Sequence, residues 1–383
     1  MHDPAVSARL RELYIERGML LRVHLDVLYA CDLDCAHCYL DDKKRPQAST
    51  AELIDVLRQA RELGAMDLTL SGGEVFLRKD LGELLGAARG MGYWIRIKTH
   101  GGRIGADDAE LLVRHGVGQV DVSVYALDPE VHDAFTRVPG SLARTLAGID
   151  HLTARGIRVD VKTHVTQMNR HHYQAVYDHF TSRGMTVTVN AQIRGTNTLT
   201  TNTYPLNVAA DEKVEVELFK IGIDGVLRDR PEPLAPEEAR LCMAGVTSLY
   251  VAPDLTVTPC SAYPVAVGHL DREPLRAIWE TAPLFATLRQ ARRQDIAICQ
   301  TCPARKYCSY CVGAAVIETG DWRTPPEIIC RSAFAAMEAA ERFASGERWV
   351  PPPAAPSGRK KLGDFTILAG HLPHPGHEPH ACA

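Results

Sequence analysis

The sequence predicts an α/β fold: an incomplete barrel of six β/α units, followed by a cysteine-rich extension made of a β-hairpin and helices. Three observations predict it. Apolar strand-like runs alternate with amphipathic stretches from Leu20 to Ile193. Each unit takes about 25–35 residues, the length of a β-strand with its returning helix, and so implies a parallel sheet. The cysteines avoid this middle: three lie at 31–38, seven between 242 and 330, one in the tail.

The strands are expected at 21–29, 66–72, 93–99, 118–126, 157–165 and 185–193. Between them, helices are expected at 49–63, 80–91, 106–115, 141–155 and 169–183, where apolar residues recur at helical spacing. Ser49 with Glu52 three residues on is a helix-start signal. Six units are two short of the closed eight-fold TIM barrel. Beyond 193 the chain changes character, and TNTLTTNTYPLN reads as polar loop. Residues 247–259 alternate around Pro253-Asp254 and predict a hairpin, and 273–291 predicts a helix. These boundaries divide the chain into an N-terminal helical extension (1–19), the partial barrel (20–235), the cysteine-rich domain (236–345) and a Pro/His-rich flexible tail (346–383).

At 383 residues, 45% hydrophobic and 23% charged, the chain is built to bury a core. A net charge of −4 argues against a nucleic-acid partner held by phosphate neutralisation. No apolar run reaches the ~18 residues a membrane span needs. The charged N-terminus lacks a secretory core, so a cytoplasmic location is expected. Eleven cysteines there read as metal or iron–sulfur ligands rather than a disulfide framework.

The first motif is Cys31-x3-Cys35-x2-Cys38, directly after the first strand. Ligands of α/β folds bind at that edge of the sheet. Three thiolates hold three irons of a 4Fe–4S cube and leave the fourth open to another molecule. A structural zinc would want a fourth ligand, and His37, wedged between Cys35 and Cys38, is poorly placed to be it. Ser71-Gly72-Gly73-Glu74 closes the second strand, Thr99-His100-Gly101-Gly102 the third, and Ser123 lies at the end of the fourth.

This set, over about residues 20–193, resembles the radical SAM family. The resemblance implies that Cys31, Cys35 and Cys38 carry a 4Fe–4S cluster whose open iron chelates S-adenosylmethionine (SAM). Reductive cleavage then gives a 5′-deoxyadenosyl radical that abstracts hydrogen from the substrate. It also implies SAM contacts from His37, Tyr39, Gly72, Gly73, Glu74, Thr99 and Ser123. Two glycines would let the methionine end approach the strand, and the carboxylate would accept from its ammonium. Relatives often carry an Arg three residues after the Asp of a His-Asp pair, here His132-Asp133; this chain has Thr136 there. The SAM carboxylate is therefore left to Arg137, Lys162 or Arg194.

The second constellation is Cys299-x2-Cys302-x5-Cys308-x2-Cys311, with Cys242 and Cys260 before it and Cys330 after it. Seven thiols exceed one tetrahedral site, and two zinc ions would want eight ligands, with His269 offered as the last. The pattern resembles the SPASM extension, which implies two auxiliary iron–sulfur clusters. On that resemblance Cys299, Cys302, Cys308 and Cys330 hold the outer cluster, and Cys242, Cys260 and Cys311 the inner one, whose fourth ligand is open. The chain departs from relatives at Leu255, where they place Gly. SPASM relatives mostly modify peptides, so the resemblance implies a peptide or protein substrate modified by crosslink, thioether, oxidation or epimerisation. It also implies a flavodoxin- or ferredoxin-type electron donor. About twenty residues precede the first strand, so a peptide leader would be read by the barrel mouth, the SPASM face or a separate protein. The alternatives are an oxidoreductase of a small molecule or haem precursor, and a zinc-stabilised interaction protein.

Tyr125, His100, His164 and Gln192 are expected at strand ends lining the cavity, and Lys43-Lys44-Arg45 and Arg359-Lys360-Lys361 as solvated surface. His371, His374, His377 and His380 are three apart in the tail with Cys382 beyond, and read as chance spacing in a disordered segment.

Overall fold

The computed structural model describes residues 4–40, 42–196, 203–224 and 239–350. The tail histidines, Cys382, Arg359-Lys360-Lys361 and residues 197–202 and 225–238 lie outside them. In chain order the elements are α1 (Pro4–Glu16), β1 (Arg22–Leu28), α2 (Thr50–Glu62), β2 (Asp67–Gly72), α3 (Leu81–Gly90), β3 (Trp94–Thr99), α4 (Ala106–Arg114), β4 (Gln119–Ser123), α5 (Pro129–Thr136), α6 (Ser141–Thr153), β5 (Val159–His164), α7 (Tyr173–Thr181), β6 (Thr186–Asn190), α8 (Ala210–Asp224), β7 (Ser248–Val251), β8 (Thr256–Thr258), β9 (Gly268–His269), α9 (Leu275–Thr281), α10 (Pro283–Gln290), α11 (Val312–Thr319) and α12 (Glu327–Ala344).

The six expected strands form one parallel sheet in the order β6-β5-β4-β3-β2-β1. The sheet then continues through β7, which pairs parallel with β1, into the antiparallel hairpin β8–β9. The open arrangement fits a partial barrel. Alternation sorts each strand's side chains onto two faces. Val23, Leu25, Ile95, Ile97, Val120, Val122 and Val161 enter the main core with residues of the surrounding helices. The opposite face carries His24, Asp26, Arg96, Lys98, Asp121, Asp160 and Lys162. Cross-strand register lines up Lys98, Asp121 and Asp160 in one row. Asp26, Asp121 and Asp160 on this face are nonetheless buried, so the face away from the core is polar and largely shielded from water.

The helix expected at 49–63 starts as read: Ser49 and Glu52 form a reciprocal capping box. The helix expected at 273–291 is two, α9 and α10, because Pro283 cannot donate to the preceding turn and opens a new helix instead. Just beyond the TNTLTTNTYPLN stretch read as loop lies α8, not among the expected helices, dense in Val, Leu, Phe and Ile and buried against α12. The predicted hairpin is present as β7 and β8, and Leu255 in its turn has φ +69°. That is why glycine suits the position in relatives. The strain of about 1–2 kcal/mol is offset because the Leu255 side chain is buried in the main core.

The main core crosses the boundary drawn at 235. Leu249, Val251, Val257, Leu275, Ile278, Trp279 and Phe285 belong to the same cluster as the barrel strands. A second cluster, containing Leu241, Ile296, Tyr310 and Trp322, surrounds the later cysteines.

Candidate functional site

The loop after β1 carries Cys31, Cys35 and Cys38, and four contacts fix its path. The Asp34 and Ala36 N–H groups donate to the Thr136 and Phe135 carbonyls at 3.0 and 2.9 Å, tying it to the end of α5. Lys43 donates to the Leu33 carbonyl and to Asp34 at 2.6 and 3.1 Å. Lys43 is thus a clamp on this loop rather than the plain solvated surface expected of it. Lys43, and then Arg137 at 3.1 Å, hold the Asp34 carboxyl below its usual range.

The Gly-Gly-Glu turn packs directly beneath that loop. A Cβ on Gly72 would sit 2.1 Å from the Leu28 carbonyl oxygen, and one on Gly73 would sit 2.1 Å from the Ala30 oxygen. Gly72 also has φ +130°, open to glycine but not to residues with a Cβ. The glycines therefore let the chain's own loop approach β2, a role that comes before any approach by SAM. Gly73 and Glu74 N–H groups bond the Leu28 and Ala30 carbonyls, both at 2.9 Å.

Glu74 is fully buried. Its carboxylate accepts from the Thr99 hydroxyl at 2.8 Å, the His100 N–H at 3.1 Å and the Phe76 N–H at 3.0 Å. His100 Nδ1 accepts from the Gly102 N–H at 3.0 Å, so the ring proton resides on Nε2. That nitrogen faces Asp32 at 2.9 Å and Glu74 at 3.0 Å. Cys31 Sγ, an Asp32 oxygen and a His100 nitrogen all lie within 4.8 Å of one another. Sequence reasoning passes over Asp32; a carboxylate directly after Cys31 is the signal it offers.

His37 is buried among Tyr125, Phe135 and His164, with ring centroids 5.1, 4.9 and 5.2 Å away. Burial pushes it down to about 3, so it is neutral and packs the floor of the loop. Tyr39 donates to the buried Asp26 at 3.1 Å, and Tyr250 of β7 donates to the same oxygen at 2.7 Å. Ser123 is at the end of β4, partly buried. Lys162 is paired with Asp160 at 2.8 Å and reaches Thr188 at 3.0 Å. Arg194 lies over the Tyr39 ring at 5.7 Å and donates to the Ser261 carbonyl at 3.2 Å, one residue past Cys260. It spans from the first cysteine loop to the inner cysteine group. Of the expected lining residues, Tyr125 stacks on Phe135 at 3.9 Å, His164 packs on His37, and Gln192 meets Ser332 at 3.4 Å.

No disulfide joins the ten described cysteines. Cys299, Cys302, Cys308 and Cys330 line one cavity, with Arg293, Arg305 and Tyr310 around them. Cys242, Cys260 and Cys311 interact with one another. Burial pushes the Cys31 thiol up to about 11; burial together with the neighbouring cysteines pushes Cys35 and Cys260 up to about 12. Buried thiols that repel one another as thiolates need a cationic centre to ionise, which suits iron–sulfur ligation. His269, offered as a zinc ligand, is instead paired with Asp271.

His132 supports this floor from behind. Its Nδ1 accepts from the Tyr125 N–H at 3.3 Å, and burial pushes it down to about 4. Unfolded histidine binds its proton near 6.5, so between pH 6.5 and 4 the unfolded chain holds more protons. Stability therefore falls as pH drops through that window, by up to about 1.4 kcal/mol per pH unit for this residue. His132→Asn keeps an acceptor for Tyr125 and is expected to flatten the acid-side slope of denaturant stability by that amount.

The arrangement brings together a three-cysteine loop and a buried carboxylate at one sheet edge, with two further cysteine groups beyond it. The profile of the Radical SAM superfamily matches residues 26–180, and that of SPASM, an iron–sulfur cluster-binding domain, matches 242–303. The chain is 30% identical over 331 residues to the PqqA peptide cyclase of Streptomyces rochei, covering 80% of this chain and 84% of that protein. It is 24% identical over 330 residues to the AdoMet-dependent heme synthase of Methanosarcina barkeri, covering 76% and 91%. Streptococcus suis SuiB bound to its precursor peptide SuiA shares the fold, with TM-score 0.64 and 16% identity over 86% of this chain and 82% of that one. The chain belongs to the radical SAM superfamily and is a radical SAM/SPASM enzyme that uses SAM and iron–sulfur clusters. Among the described residues, no helix is long and apolar enough to cross a membrane.

Proposed function

We propose that the chain modifies a ribosomally made peptide, with the radical chemistry initiated at Cys31, Cys35 and Cys38. When bound, a reduced 4Fe–4S cluster and SAM supply an organic radical able to abstract hydrogen from carbon. The residues named do the positioning. The three thiols hold the cluster in a loop fixed by α5 and Lys43. Glu74, oriented by Thr99 and His100, receives the SAM ammonium. Arg137 and Lys162 are already paired with carboxylates. Arg194 pairs with none among the described residues, which makes it the choice for the SAM carboxylate. The outer and inner cysteine groups hold two auxiliary clusters, and a flavodoxin- or ferredoxin-type protein supplies electrons. A separate leader-binding protein delivers the peptide where the chain's own mouth does not.

The observation that carries the reading is the site itself. Arg194 links the first cysteine loop to the inner cysteine group across a polar, open-edged barrel face. The similarity to a peptide cyclase over four-fifths of the chain favours a peptide. The haem-precursor reading rests on the Methanosarcina relative. The test is anaerobic turnover with a short peptide encoded beside the gene, deuterated throughout. Deuterium in the 5′-deoxyadenosine together with a changed peptide mass is expected. Label arriving only from a deuterated porphyrin precursor would replace the peptide reading with the second.

A further inference from the structure

A pocket separate from the cluster loop lies where the end of β6, α8, the first turns of α12 and the loop at Tyr307–Ser309 meet. Asn190, Gln192, Lys213, Lys220, Ser309 and Ser332 supply its polar lining. Lys213 is only 4% exposed. Its ammonium donates to the Ser332 hydroxyl at 3.0 Å, and that hydroxyl is 3.4 Å from the Gln192 side-chain oxygen. Glu217, one turn along α8, is occupied by Lys220 at 2.8 Å. Among the described residues no carboxylate pairs with Lys213.

An ammonium has three protons to donate, and a hydroxyl satisfies only one of them. Burying such a charge without a counter-ion is costly. Burial accordingly pushes Lys213 down to about 8, against the pull of Glu217, with Arg331 and Lys220 adding to the push. At neutral pH it is still mainly charged. The chain thus keeps an under-partnered cation inside a pocket whose lining also offers amide and hydroxyl groups, with Glu217 taken up by Lys220.

We propose that this pocket is a subsite for a carboxylate of the substrate, held by the Lys213 ammonium with the neighbouring amide and hydroxyl groups. The inference rests on the peptide reading and deepens it. The net charge of the lining, two ammoniums against Glu217, matches a monoanion; a phosphate dianion would face the Glu217 carboxylate. Asn190 and Gln192 lie at the C-terminal end of β6, the sheet edge that carries the cluster loop. β6 is the outermost strand, so the pocket flanks the open side of the barrel. Its wall residues Ile329 and Ala333 also line the outer cysteine cavity. A peptide anchored here would lie between the radical-generating loop and the auxiliary clusters.

The test is residue-resolved acylation of the cluster-loaded enzyme with acetic anhydride, read by mass spectrometry. It uses three probes: N-acetyl-glutamate N-methylamide for an acidic side chain, N-acetylglycine for a peptide C-terminus, and neutral N-acetyl-glutamine N-methylamide. One carboxylate probe is expected to slow acylation of Lys213 about tenfold or more, as a charge-assisted hydrogen bond would. The neutral probe leaves it unchanged, and Lys79 and Lys306 are unaffected by all three. Which carboxylate protects identifies the source. Lys213→Met, followed by calorimetry with the protecting probe, should weaken its binding by a similar factor. If that variant does not fold, the wild-type labelling decides alone. Equal labelling with every probe, or protection by the neutral amide as well, overturns the subsite. Because no turnover is read, such a failure leaves the peptide reading to its own deuterium test.

Discussion

Replacing Cys35 by alanine is expected to abolish reductive SAM cleavage while leaving the later cysteine groups loaded. Anaerobic wild type should hold about twelve irons, three 4Fe–4S clusters, and the variant about eight. Two thiols cannot retain a cube whose fourth iron has no protein ligand. The loop should otherwise stay in place, because its anchors are backbone bonds to α5 and the Lys43 clamp, none of them through a thiol. The later groups sit in their own apolar cluster around Leu241, Tyr310 and Trp322. Iron and sulfide counting, with 5′-deoxyadenosine measured under reduction, checks this. SAM cleavage that survives in Cys35→Ala would move the initiating site elsewhere.

Gly73→Ala is expected to be nearly as damaging by a different route. The added methyl would lie 2.1 Å from the Ala30 carbonyl oxygen and 2.5 Å from that of Tyr29, both backbone atoms of the cluster loop. Neither can rotate away. The loop must lift, breaking the 2.9 Å bonds from Gly73 to Leu28 and from Glu74 to Ala30. Overpacking of this kind costs about 1–3 kcal/mol, and the lifted loop carries Cys31 with it. The expected result is a lower denaturant midpoint together with loss of about four irons. Gly90→Ala is the matched control. It ends α3 with open space around it, and is expected to gain up to about 1 kcal/mol with full iron content.

Much of this is legible in the sequence itself. Strand positions came through because Val and Ile alternate with polar residues on strands that bury one face and use the other. The cysteine groupings came through because iron–sulfur ligation fixes residue type and spacing. What did not come through was what depends on distant partners. Nothing local to Gly72 and Gly73 says that the first constraint on them is the Leu28 and Ala30 carbonyls. Lys43 looks like solvent-facing charge until the loop it holds is folded beside it. Arg137 and Lys162 are equal to Arg194 as free cations in a sequence; only folding supplies Asp34 and Asp160. Helix α8 is hidden in the sequence by the polar stretch before it, and its apolar face makes sense only against α12.

The continuation of the sheet through β7 bears on how such enzymes can be cut or recombined. A chain ended near 235 would lose the strand that covers the β1 edge, along with the apolar layer from Leu249 to Phe285. Its exposed amides and carbonyls on β1 would then invite pairing between molecules. The seam at which a different auxiliary-cluster cap could be grafted is therefore not where the cysteines resume. A seam past Gln290, before the Cys299 turn, keeps the shared layer whole, but Cys242 and Cys260 stay behind it, so a cap grafted there must bring its own counterpart of Cys311.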